Sequence, residues 1–252
     1  MFKFQNDKII KIIAILTILI QGCSESILDK NPLDSFSDPI VWSDINLANK
    51  YLTPIYNSVN YGGTQRAHGY QTGCFSMETA YFKGNNVTPY NAAAITPDNL
   101  GDDRGNITWR LFSQIQNLNV FLENIDKLPD AYPEIEKASI KAKSDILKGE
   151  ALFLRGVFYS DLCRSYGGVP LFSKRFQLGD DYLNVTRATF KETIDFIVND
   201  FNEAAKLLPL KSKMEMGKGT KEAALALKSR ILLFAASDLT SDGKAANELV
   251  GY

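Results

Sequence analysis

The chain has 252 residues, 45% of them hydrophobic and 23% charged, a balance typical of folded globular proteins and long enough to bury one sizeable core. Its formal net charge is −1, and no cluster of Lys and Arg breaks that balance. This argues against a nucleic-acid partner, whose phosphates require a basic face.

The amino terminus carries the most specific local signal. Lys3, Lys8 and Lys11 are followed by the apolar run Ile12–Ile20 and then by Gln21-Gly22-Cys23. The run is too short to span a bilayer, which takes about 20 residues, but it fits the core of a secretion signal. Residues 1–22 are therefore expected to be a signal peptide. Ile20, Gly22 and Cys23 resemble a lipobox, in which the cysteine is the lipidation site, with Gln21 standing where a small residue is more usual. Acyl chains on Cys23 would anchor the protein to a membrane, each buried methylene contributing about 0.8 kcal/mol. Ser24, Glu25, Ser26 and Asp29 then resemble the short acidic tags of surface-exposed outer-membrane lipoproteins, and residues 23–38 read as a tether.

A helical pattern begins at Asp38-Pro39, an N-cap followed by proline at the first helical position. Ile40, Trp42, Ile45, Ala48, Leu52, Ile55 and Val59 recur near a 3.6 period, with Pro54 predicting a kink or break. Residues 60–106 lose that period. Glycines, prolines, asparagines and aromatics dominate there, and so long an irregular segment in a compact domain usually has a role. The period returns over Ile107–Leu128 (Ile107, Leu111, Ile115, Leu118, Phe121, Leu122, Ile125) and stops before Pro129. Pro133 opens a third helix, halted by Gly167-Gly168 ahead of Pro170. Thr189–Leu208 is a fourth, closed by Pro209. Thr220 caps a fifth, with Glu222 in its first turn, reaching about Ala236.

Ala151, Arg155 and Tyr159 lie four apart, and so do Ala226, Arg230 and Phe234. Small, basic and aromatic residues thus share one face in each of two helices. The two sets are separated by about two periods of a 34-residue repeat. Helix pairs with such features stack into tetratricopeptide-like solenoids. The expected fold is all-α: stacked helix pairs with a long irregular Gly/Asn/aromatic-rich segment.

Residues 148–171 read Lys-Gly-Glu-Ala-Leu-Phe-Leu-Arg-Gly-Val-Phe-Tyr-Ser-Asp-Leu-Cys-Arg-Ser-Tyr-Gly-Gly-Val-Pro-Leu. This resembles the hallmark of the SusD/RagB family of outer-membrane nutrient-binding lipoproteins, with Gly149, Glu150, Ala151, Leu154, Arg155, Tyr159, Leu162, Tyr166, Gly167, Gly168, Val169, Pro170 and Leu171 in the expected places. Gly156 stands for the usual Ala, at some loss of helix propensity. Ile115, Asn119, Phe121, Leu122, Ile125 and Asp126 resemble the helix before it. Arg187, Thr189, Ile197, Asp200, Ala204, Leu208 and Pro209 resemble the helix after it, and Thr220–Ala236 the next. Members are usually about twice this length, so residues 39–252 look like the amino-terminal helical half.

The resemblance implies a binding protein that captures oligosaccharides or other nutrients at the outer membrane and delivers them to a TonB-dependent, SusC-like transporter. Sugars are held by aromatic faces and by amides that bond their hydroxyls. Tyr81, Phe82, Asn85, Asn86 and Tyr90 are the candidate ligand contacts in the irregular segment, although such aromatics can equally fill a small core beneath a loop. A helical scaffold that contacts the transporter without binding ligand is the alternative. Glu150 and Arg155, five apart, are poorly spaced to pair with each other, so Arg155 is expected to bond a neighbouring helix or loop.

Enzyme readings are weak. Asp102-Asp103 reads as a solvated turn rather than a glycosidase pair. His68 is the only histidine, too few for a metal site, and no G-x-S-x-G element supports a triad. Gly217-Lys218-Gly219-Thr220-Lys221 lacks phosphate-loop spacing. No metal or cofactor is expected. Cys74 and Cys163 could pair, or could be two unrelated buried thiols.

Overall fold

The computed structural model describes residues 38–59, 66–67, 70–71, 109–177, 179–181 and 184–241. The chain divides into two units, Met1–Ile40 and Val41–Tyr252. In the first, only the opening residues of a short helix, α1 (Asp38–Val41), are described. The architecture that follows belongs to the second.

The single apolar run expected from Asp38 to Val59 is two helices. α2 (Ile45–Tyr56) starts afresh because the Asp44 carboxylate accepts the Asn46 N–H at 2.7 Å, an N-cap lodged inside the apolar period. Pro54 does not break α2 where it stands. The helix continues to Tyr56 and then tightens, Asn57, Ser58 and Val59 each donating to the carbonyl three residues back. Ile45, Ala48, Leu52 and Ile55 form its buried stripe. Two short strands, β1 (Arg66–Ala67) and β2 (Tyr70–Gln71), pair antiparallel, with Arg66 opposite Gln71 and Ala67 opposite Tyr70.

α3 (Leu111–Ile125) buries Ile115, Leu118, Asn119, Phe121 and Ile125. It ends before the predicted Leu128, which instead opens a 3₁₀ turn (Leu128–Ala131) built on Pro129. α4 (Glu134–Tyr166) runs for 33 residues, about 50 Å at 1.5 Å per residue. Its first half buries one side only. From Gly149 to Cys163 almost every residue is buried, whichever way it faces. Gly167 stops it at φ +72°, a conformation that side chains with a Cβ rarely adopt, and its N–H closes on the Cys163 carbonyl at 2.8 Å. α5 (Phe190–Leu207) begins with a full capping box between Thr189 and Glu192. α6 (Lys221–Ala235) is capped by Thr220, whose hydroxyl accepts the Ala223 N–H at 3.2 Å. A last turn, α7 (Asp238–Ser241), follows.

Each long helix packs on the next in sequence, α3 on α4, α4 on α5 and α5 on α6, while α2 covers α3 and α4. That order makes α4 the centre of the stack. Leu118, Phe121, Leu154, Phe158, Tyr159, Ile197 and Phe201 are fully buried around it, each large apolar side chain contributing about 1.5–3 kcal/mol. A Cβ on Gly156 would come within 2.9 Å of the Phe201 ring, so the glycine is what lets α5 press its aromatic residue against α4. Among the described residues the fold is all-α apart from the β1–β2 pair, as the periodicity implied.

Candidate functional site

The hallmark segment on α4 is organised around Arg155, which is 7% exposed. Its Nε and Nη2 donate to the two carboxylate oxygens of Asp200 on α5, both at 2.8 Å, and Nη1 donates to Asn119 Oδ1 on α3 at 2.9 Å. The guanidinium also lies over the Phe196 ring, 5.0 Å from its centroid. Burial pushes the Asp200 carboxyl up, and the bidentate Arg155 opposes that rise. One arginine thus ties three helices together, as the poor Glu150–Arg155 spacing suggested.

Glu150 finds its cation elsewhere. Lys218 Nζ reaches its Oε2 at 3.1 Å and Asn49 Oδ1 at 3.0 Å, and the Tyr56 hydroxyl donates to the same carboxylate at 2.7 Å. The Gly219 N–H returns to the Tyr56 oxygen at 3.0 Å. The Gly217–Gly219 loop therefore clamps α2 against α4, and a Cβ on Gly219 would meet Phe153 at 2.7 Å.

The same network sets up an aromatic surface. The Tyr159 hydroxyl accepts the Phe172 N–H at 2.8 Å, and Asn119 Nδ2 donates to the carbonyls of Phe172 (2.9 Å) and Lys174 (3.0 Å). Burial lifts the Tyr159 phenol to about 12, so it stays protonated. The Gln116 amide brackets the Phe176 backbone, donating to its carbonyl at 3.0 Å and accepting its N–H at 3.1 Å. Phe172 and Phe176 meet edge-on at 4.8 Å, and Phe112 meets Phe172 at 5.5 Å. Trp109, 50% exposed, closes the row against Phe112 (4.9 Å) and Tyr166 (5.3 Å). A half-exposed indole on a rigid aromatic bed can stack on the C–H face of a sugar. Trp109 is one of two tryptophans in the chain, and it falls within the helical period expected over Ile107–Leu128, where no sequence signal sets it apart.

Cys23, Tyr81, Phe82, Asn85, Asn86 and Tyr90 lie outside the described residues, as do His68, Cys74, Asp102 and Asp103. Cys163 is buried and free, and burial pushes its thiol up to about 12. Among the described residues no group of His, Cys, Asp and Glu could hold a metal ion. No described helix is long and apolar enough to cross a membrane.

Residues 28–233 match the sequence pattern of a SusD-like family described as starch-binding and associating with the outer membrane. The chain is 28% identical over 223 residues to the SusD-like protein P38 of Formosa agariphila, covering 84% of this chain and 39% of that protein. Among solved structures, a SusD-like protein of Bacteroides fragilis is 28% identical with a TM-score of 0.58, over 81% of this chain and 38% of that one. A laminarin-binding SusD-like protein shares the fold at a TM-score of 0.55 and 19% identity, over 76% of this chain and 40% of that one. The chain therefore spans less than half the length of these relatives.

Proposed function

This chain belongs to the SusD-like family of starch-binding proteins that associate with the outer membrane, and from that premise we propose that it is a nutrient-capturing lipoprotein of the cell surface. In this reading residues 1–22 are the secretion signal, Cys23 carries the lipid and residues 23–38 are the tether. Residues 39–252 form the helical domain. The ligand is an oligosaccharide, handed on to a TonB-dependent transporter. The family match over residues 28–233, which takes in the whole Arg155 network, is the observation that carries the proposal.

Trp109 is the described residue best suited to stack on a sugar, and the segment directly before it in sequence supplies the remaining contacts. Tyr81, Phe82 and Tyr90 would add stacking faces there, and Asn85 and Asn86 would bond hydroxyls. The protein binds and does not turn over its ligand, in keeping with a family described by binding.

The test is titration of the full chain with maltooligosaccharides and laminarin oligosaccharides. Saturable binding that Trp109→Ala weakens about tenfold, the scale of a lost aromatic contact, supports the proposal. Released reducing ends would replace it with catalysis. Cell fractionation tests the anchor: Cys23→Ala should become soluble, and a mutant that stays with membranes rules out lipidation at that residue. A second reading, a scaffold that contacts the transporter without holding sugar, is favoured by the polar side chains of the hallmark, Glu150 and Arg155, which bond other helices. Transporter pull-down with no sugar binding would select it.

A further inference from the structure

The aromatic row lies in a part of the chain whose charge runs against the whole. The formal net charge of the chain is −1, yet residues 109–122 and 162–177 hold four cations, Arg110, Arg164, Lys174 and Arg175, and no Asp or Glu. Two of these are matched from just outside, Arg175 by Glu123 at 3.2 Å and Arg164 by Asp161. Arg110 and Lys174 are exposed, and their side chains have no hydrogen bond or ion pair among the described residues. Arg187 adds a third charge with no carboxylate on it among the described residues, since its guanidinium donates to the Gly168 carbonyl at 2.8 Å and to the Tyr166 carbonyl. The next acids in the chain, Asp180 and Asp181, follow in the turn beyond, where they accept the N–H groups of Gln177 and Asn184.

The backbone places both unpaired cations beside the rings. Arg110 follows Trp109 directly, at the start of α3. Lys174 stands between Phe172 and Phe176 in a segment that α3 grips by its main chain. Gln116, Asn119 and Glu123 share one face of that helix. Gln116 bonds the Phe176 N–H and carbonyl, and Glu123 accepts the Arg175 N–H at 2.9 Å. One Asn119 nitrogen takes both the Phe172 and the Lys174 carbonyl, so these two residues are held side by side. The grip uses the Lys174 carbonyl and leaves its ammonium unspent. A neutral glucan would leave both cations unspent as well, whereas a carboxylate or sulfate next to a stacked sugar ring would pair with them. We propose that the aromatic row selects acidic oligosaccharides, whose anionic groups are taken by Arg110 and Lys174 while a sugar ring stacks on Trp109. This rests on the sugar-binding reading above and narrows its ligand to one charge class.

The test titrates the full chain with laminarin oligosaccharides, the same oligosaccharides after sulfation, and oligogalacturonides. At low ionic strength at least one acidic set should bind about tenfold tighter than the neutral one, the scale of two exposed ion pairs. A preference for only one acidic set tells sulfate from carboxylate. At about 1 M salt, where the Debye length is about 3 Å, most of the preference should vanish. Arg110→Gln and Lys174→Gln should each cut the acidic-to-neutral affinity ratio about threefold, with the circular dichroism spectrum and melting temperature kept. Lys143→Gln, at an exposed lysine on the first half of α4, should leave the ratio as it is. Saturable binding of the neutral set with no acidic preference overturns the proposal and leaves the sugar-binding reading standing. A preference indifferent to both substitutions, or cut equally by Lys143→Gln, also overturns it, since the field of the whole molecule would then be the cause. Binding of none of the three sets overturns both.

Discussion

Arg155→Ala removes three charge-assisted hydrogen bonds and leaves the Asp200 carboxylate, 1% exposed, with none of the partners it has now. Breaking a buried pair from one side costs about 3–5 kcal/mol, because the remaining charge stays desolvated. For a domain of this size each kcal/mol moves the melting temperature by about 2–4 °C, so the expected fall is roughly 6–20 °C. The pH dependence carries the sign. Burial raises the Asp200 carboxyl, and without Arg155 nothing opposes that rise. The folded variant then holds a proton more tightly than the unfolded chain. The stability linked to that proton is complete below the unfolded carboxylate pKa of about 3.9 and is lost as pH rises through the folded value. The gap between variant and wild type should therefore be wider at pH 8 than at pH 5. Paired thermal melts at both pH values measure it, with sugar titration alongside. Arg155→Met combined with Asp200→Leu should recover most of the loss, since an apolar pair of similar volume is tolerated where a lone charge is not. A variant that melts within about 2 °C of wild type but no longer binds sugar would refute the structural assignment and make Arg155 a ligand contact.

Three further outcomes follow from single sites. Gly156→Ala restores the residue more usual at this place in the hallmark and gains up to about 1 kcal/mol of helix propensity. Its Cβ would press on the fully buried Phe201 ring at 2.9 Å, and overpacking costs about 1–3 kcal/mol; urea melts should show a net loss that Phe201→Leu relieves, and a stabilised variant would contradict this. Cys163, with its thiol pushed up to about 12 by burial, should resist alkylation at pH 8 in the native state and react only on unfolding, read by peptide mass mapping at that residue. Thr189→Ala deletes the capping box of α5 and should cost about 1 kcal/mol in chemical denaturation, with Thr189→Ser close to neutral.

What could be read in the sequence was local chemistry. Thr189, Thr220 and Gly167 mark helix ends because capping and left-handed backbone depend on residues within one turn. The structure ends those helices where they stand. Asp44 does the same work for α2, but its neighbours keep the apolar period unbroken across the cap, so periodicity alone hides it. Partners in tertiary contacts were not legible. The 45-residue span between Arg155 and Asp200 and the 68-residue span between Glu150 and Lys218 leave no periodic trace. Spacing could exclude Glu150 as the partner of Arg155, but it could not name Asp200. Gly156 shows the same boundary: helix propensity weighs a glycine by its own turn, whereas its value here is the room it leaves for a ring on another helix.

The two networks also say how the hallmark can serve binding without touching a ligand. Gly149–Cys163 is enclosed almost on every side, and its Glu150 and Arg155 are engaged by α2, α3, α5 and the Gly217–Gly219 loop. It reaches the aromatic surface through Tyr159, whose hydroxyl accepts the Phe172 N–H, and through Asn119, which receives Arg155 and donates to the Phe172 carbonyl. Tyr159→Phe therefore separates placement from stability. It removes that one hydrogen bond and keeps the ring, so the cost should be near 1 kcal/mol while the Phe172–Phe176 row loosens. If Trp109 and its neighbours hold sugar, affinity should fall more than the melt does. Equal effects on the two would mean that the aromatic row is only part of the core.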